Sequence, residues 1–109
     1  MSAAEIQAID STSFNAYMAN AIGAVLIDFW APWCAPCRAL APHLEHVANQ
    51  FASQLQVGKV NVDVAPDLAG RFGVRGVPTL ILFKHGEPQA QLVGLHSEKE
   101  LSAWLESAL

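Results

Sequence analysis

An α/β fold, built on a mixed sheet of about five strands flanked by about four helices, is what this sequence predicts. Three observations predict it. Early in the chain, apolar segments of strand length alternate with segments of helical period, the order that parallel strands with crossover helices require. Ala24 to Ala31 (Ala-Val-Leu-Ile-Asp-Phe-Trp-Ala) is nearly continuous apolar sequence, which fits a central strand buried on both faces. Late in the chain, Lys84-His85-Gly86-Glu87 separates two strand-like segments as a hairpin turn, so the sheet gains an antiparallel edge.

The elements follow in order. Ile6 to Ile9 is a short apolar stretch suited to an edge strand. Asp10-Ser11-Thr12 offers N-cap oxygens to a helix through Phe14, Tyr17 and Met18. After the central run, Pro36 can occupy the first turn of a helix, where its missing N–H costs nothing. That helix sets Leu40, Leu44, Val47 and Phe51 on one stripe. Pro42 lies inside it and cannot donate to the carbonyl of Arg38, which predicts a kink. Val57 to Val64 reads as a strand with Val57, Val60, Val62 and Val64 as its apolar members, and Asp67 to Phe72 as a short helix ended near Gly73. Thr79 to Phe83 is a strand, and the turn after it leads into Ala90 to Val93. Ser97 caps a last helix, Glu100 completes a capping box, and Leu101, Trp104, Leu105 and Ala108 form the helix's inner face.

At 109 residues the chain is long enough for one domain, 1–109, and too short for two. Hydrophobic residues make up 52%, so a core can form without staples. The formal net charge is -4 and the six basic residues are scattered from Arg38 to Lys99, which argues against a nucleic-acid partner. Met1 to Glu5 has neither the positive nor the apolar region of a secretory signal. Nothing approaches the uninterrupted apolar length of a membrane span. The expectation is a soluble, cytoplasmic monomer that does not engage membranes.

Cys34 and Cys37 are the only cysteines, set in Trp33-Cys34-Ala35-Pro36-Cys37 where a strand gives way to a helix. A reducing compartment disfavours a structural disulfide, and so short a loop gains little as a cross-link. A bond that opens and closes makes better sense of the spacing. If the helix starts just after Cys34, that sulfur meets unpaired backbone N–H groups and the positive helix end, which favour the thiolate. Cys37, one turn on and near the apolar stripe, is expected to be the more buried thiol. The roles follow: Cys34 attacks a partner's disulfide, and Cys37 then attacks Cys34 and releases the reduced partner. Two inert buried thiols would not account for this pairing beside Trp33 and Pro36. A zinc site using His43 and His46 is opposed by helical geometry, which turns both away from Cys37, and both read as solvated surface.

Asp28 has apolar neighbours on both alternating faces of its strand, so it is buried whichever face it takes. Burial should raise its pKa, and its position six residues before Cys34 suits a proton acceptor for Cys37, working through water. Lys59 is a candidate charge partner in the same region.

With these residues in view the chain resembles the thioredoxin family over nearly its whole length. The resemblance is carried by Asp28-Phe29-Trp30-Ala31-Pro32-Trp33-Cys34-Ala35-Pro36-Cys37-Arg38, then Pro42, Lys59, Asp63, Gly76-Val77-Pro78-Thr79, Lys84, Gly86 and Gly94. It implies the thioredoxin fold, with Asp28 and Lys59 beneath the disulfide and Pro78 as a cis-proline facing the cysteines. It further implies that the Val77 backbone pairs with an extended client segment. The apolar surface around the reactive sulfur would comprise Trp33, Ala35, Pro36, Gly76, Val77, Pro78, Val93, Gly94 and Leu95. Without the resemblance, Val77 and Val93 would read as ordinary core. One departure is Ala35, where the family ordinarily carries Gly; it adds a methyl beside Cys34 and stiffens the turn. Pro36 stands where oxidising and isomerising relatives commonly carry His, which points to a reductant.

The implied activity is a dithiol–disulfide oxidoreductase that reduces protein disulfides. No bound cofactor is implied, and electrons would come from NADPH through a thioredoxin reductase. A thiol oxidase or isomerase would share the chemistry but not the proline. A binding subunit with idle thiols would leave Cys34, Cys37, Trp33 and Asp28 without a purpose.

Overall fold

The computed structural model describes residues 6–109, and Met1 to Glu5, read above for signal character, lie outside them. The elements are β1 (Ile6–Ile9), α1 (Phe14–Asn20), β2 (Ala24–Trp30), α2 (Ala35–Gln50), β3 (Leu55–Asn61), α3 (Pro66–Arg71), β4 (Thr79–Lys84), β5 (Glu87–Val93) and α4 (Glu98–Ala108). The strands form one five-stranded sheet in the order β1-β3-β2-β4-β5. β3 runs parallel to β1 and β2, whereas β4 is antiparallel to both β2 and β5. The expected mixed sheet with an antiparallel edge is therefore the observed one.

β2 is central because it can bury both faces. Leu26 faces a cluster with Leu40, Leu44 and Val47 of α2 and Leu101 and Leu105 of α4. Val25, Ile27 and Phe29 face the other side, with Phe14 of α1 and Leu68 of α3. The period of two along a strand thus sorts one apolar run into two cores. Register then gathers the site: Trp30 lies beside Asn61, Phe29 beside Thr79, and Thr79 beside Val93, all at one end of the strands.

Several boundaries differ from expectation. β3 begins at Leu55 and stops at Asn61, so Val62 to Val64 are not strand. The Asn61 carbonyl accepts from the N–H groups of Val64 and Ala65, and its side chain accepts from Asp63 N–H at 2.9 Å. This local Asn turn outcompetes the β preference of the valines, and Val64 is left exposed. β5 is longer than Ala90 to Val93 because it is an edge strand: its exposed residues, Pro88 among them, lack the alternation that marks a half-buried strand. At α1 the N-cap is Ser13, with no side-chain cap bond, rather than any of the three candidates; Asp10 Oδ1 instead accepts from Thr12 and Ser13 N–H in the turn that precedes the helix. α2 runs through Pro42 as one helix, and the hairpin turn places His85 and Gly86 at φ 55 and φ 78, the paired positive values of a two-residue loop.

Candidate active site

β2 ends at Trp30, and Cys34 N–H donates to the Ala31 carbonyl at 3.1 Å, folding the chain over before α2 starts. Cys34 is the N-cap of α2 in extended geometry (φ -90, ψ 107). Its Sγ accepts the backbone N–H of Cys37 at 3.1 Å, taking the place that a Ser or Asp oxygen usually fills. Cys34 and Cys37 are joined as a disulfide with Cα atoms 5.3 Å apart. Ala31 is buried with them, and Trp30, Val62 and Val77 pack against the group.

The expected difference in burial is absent: both cysteines are 4% exposed. In the closed ring the Cys34 sulfur folds back over the first turn, which shelters it as well. What separates the sulfurs is their place on the helix. Cys34 Sγ sits at the positive end and receives an N–H, and a negative charge there would be stabilised by both.

The segment facing Cys34 comes from the loop before β4. The Val77–Pro78 bond is cis, and the Val77 carbonyl oxygen lies 3.7 Å from Cys34 Sγ. Thr79 Oγ1 donates to the Gly76 carbonyl at 2.6 Å, and Gly94 N–H donates to the Pro78 carbonyl at 2.9 Å. Of the residues assigned to the surrounding apolar surface, Trp33 (67%), Val93 and Leu95 are large and exposed. Ala35, Pro36 and Gly76 are exposed, and Val77 and Gly94 half-buried. Pro78 is buried, and its carbonyl is already taken by Gly94 N–H.

Asp28 is 5% exposed, and its Oδ1 has no hydrogen-bond partner. It shares the face of β2 that carries Leu26, the side covered by α2. Burial pushes its pKa up to about 7, and the charge of Lys59 offsets part of that rise. Lys59 is its register neighbour on β3, with Nζ 5.4 Å over the Trp30 ring. Among the described residues no direct ion pair joins the two, and the ion pairs present belong to histidines. His43 and His46 both lean on Glu98, at 3.5 and 3.7 Å, linking α2 to α4 away from the thiols. Among the described residues no cluster of His, Cys, Asp and Glu has the makings of a metal site.

Two contacts had no counterpart in the sequence reading of roles. Trp33 Nε1 donates to the Asp63 carboxylate at 3.1 and 3.3 Å, and Arg38 Nη1 donates to the Pro32 carbonyl at 2.8 Å. The first spans 30 positions and has no local signal. The second was within reach, because a residue four places beyond an N-cap projects back over it. A groove of about 520 Å³ lined by Met18, Ile22, Val25, Phe83 and Lys84 lies at the other end of the sheet, away from this chemistry.

Comparison with known proteins bears on this arrangement. The protein-family model described as Thioredoxin matches residues 5–107. The thioredoxin of Acidithiobacillus ferridurans is 42% identical over 101 residues, covering 93% of this chain and 94% of its own. The thioredoxin of Pseudomonas aeruginosa is 42% identical over 99 residues, covering 91% and 92%. Thioredoxin 1 of Nostoc sp. is 43% identical over 109 residues, with both chains covered in full.

Proposed function

The chain belongs to the thioredoxin family and is a thiol–disulfide oxidoreductase acting as a protein-disulfide reductase, and we propose that Cys34 is its attacking thiol and Cys37 its resolving thiol. In the reduced protein the Cys34 thiolate attacks one sulfur of a client disulfide. That S–S bond breaks, and the client's other sulfur leaves as a thiolate and takes a proton. Cys37 then gives its proton towards Asp28 and attacks the Cys34 sulfur. The Cys34–client bond breaks, the second client thiol departs, and the Cys34–Cys37 disulfide has taken up the two-electron difference.

The observation that carries the assignment is the hydrogen bond from Cys37 N–H to Cys34 Sγ at the start of α2. A sulfur that accepts there gains most when it is negative. Asp28 suits the second step because a carboxyl with a pKa of about 7 exchanges protons near neutrality. Lys59 modulates it by charge. The client pairs with the Val77 backbone, with Trp33, Ala35, Pro36, Gly76, Val77, Pro78, Val93, Gly94 and Leu95 as its apolar bed. A thioredoxin reductase returns electrons from NADPH, no bound cofactor is used, and the single domain works as a cytoplasmic monomer. No helix among the described residues is long and apolar enough to cross a membrane.

The test is insulin reduction driven by NADPH and a thioredoxin reductase, followed by Cys37→Ser. The variant should accumulate clients as mixed disulfides through Cys34. Accumulation on Cys34→Ser instead would reverse the roles.

A further inference from the structure

His96 lies in the short connection between β5 and α4, with one ring nitrogen in hydrogen-bond reach of a carbonyl. Its Nε2 is 3.0 Å from the carbonyl oxygen of Val93, and its Nδ1 is 3.7 Å from Glu100 Oε1. That carboxylate is itself fixed, because Glu100 Oε1 accepts Ser97 N–H at 2.8 Å while Ser97 Oγ accepts Glu100 N–H at 3.1 Å. This reciprocal pair is the capping box of α4. On the other side, Val93 is the last residue of β5, and Gly94 follows at φ 93 with its N–H on the Pro78 carbonyl. His96 immediately precedes the N-cap Ser97, so its ring hydrogen bond ties the cap of α4 to the strand end beside the cis bond.

We propose that His96 is a positioning residue for client binding: by holding the Val93 carbonyl to the capped end of α4, it fixes Val93, Gly94 and Leu95 as one wall of the client groove. This rests on the groove reading given above. Val93 and Leu95 are large, apolar and exposed, and a glycine at positive φ lies between them. Such a segment would sample several conformations if its ends were free. A groove wall that must first be ordered weakens binding by the cost of ordering it. The ring hydrogen bond removes that cost in advance. It touches neither Cys34 nor Cys37, so it should act on recognition of an extended polypeptide and leave thiol exchange with a small disulfide alone.

The measurement pairs two substrates. Insulin needs the groove, and a small aromatic disulfide such as 5,5'-dithiobis(2-nitrobenzoate) needs only the sulfur. His96→Leu and His96→Ala should raise KM for insulin about fivefold with kcat held, the size of one lost hydrogen bond. His96→Gln, whose amide nitrogen reaches to the same distance as Nε2, should restore most of the affinity. The small disulfide should be reduced at the parent rate by all three, which also reports that they are folded. Unchanged insulin KM in Leu and Ala variants that still reduce the small disulfide would overturn the inference. So would a Gln variant no better than Leu. A parent protein that reduces the small disulfide but not insulin would remove the groove reading itself, and this inference with it.

Discussion

A carboxyl group deep among apolar side chains resists ionisation, and Asp28 is the residue where that cost is largest. Its pKa is raised from 3.8 to about 7, chiefly by burial. Between those values the folded protein holds a proton that the unfolded chain has released. The Asp28 contribution to stability therefore falls as pH rises from about 4 to about 7 and levels off above. Asp28→Asn removes the cost. Urea unfolding of the oxidised protein should find the variant little different near pH 4 and more stable by on the order of 4 kcal/mol at pH 8. A difference independent of pH would mean that Asp28 is not the titrating group. The same residue illustrates what the sequence made legible at this scale. Its burial followed from apolar neighbours on both faces, and its register neighbour Lys59 on β3 was named as a charge partner. The Asp63 contact to Trp33 was not legible, because nothing near either residue specifies the other.

Elements with a chemical punctuation mark were readable in order, as were the apolar runs of β1, β2 and β4, whereas the bounds of β3 and β5 differed. α4 is the clearest case: Ser97 and Glu100 are spaced for reciprocal capping, and both hydrogen bonds form. Ser97→Ala should therefore cost about 1 kcal/mol in urea unfolding while leaving the circular dichroism of the native protein unchanged. The redox turn belongs to the same class, with Pro36 in the first turn of α2 and Cys34 as its N-cap. β3 failed at its end because β-branched residues continue to Val64 while the Asn61 side chain turns the chain three residues sooner. β5 failed at its start because an exposed edge strand need not alternate.

Across the whole molecule, the leucines divide between a buried core and an exposed surface. Leu101 is fully buried between α4 and the sheet, and Leu95 is exposed. Leu101→Ala should lose about 3 kcal/mol of stability through a cavity in the core under α2 and α4. Leu95→Ala should stay within about 0.5 kcal/mol of the parent in unfolding yet bind insulin more weakly. The fold was legible because two cores require a doubly buried β2, and its apolar run announces one. The exposure of Val93 and Leu95 was not legible from periodicity, since an exposed valine or leucine looks like core until the chain is folded. The central claim remains a difference between two equally sheltered sulfurs, and alkylation of the reduced protein by iodoacetamide across pH, with the modified cysteine identified by mass, tests it most directly. Cys34 should react first, with a midpoint below the ordinary thiol value of about 8.5, while Cys37 stays unmodified near neutrality. Equal rates with a shared midpoint, or faster modification of Cys37, would contradict the account.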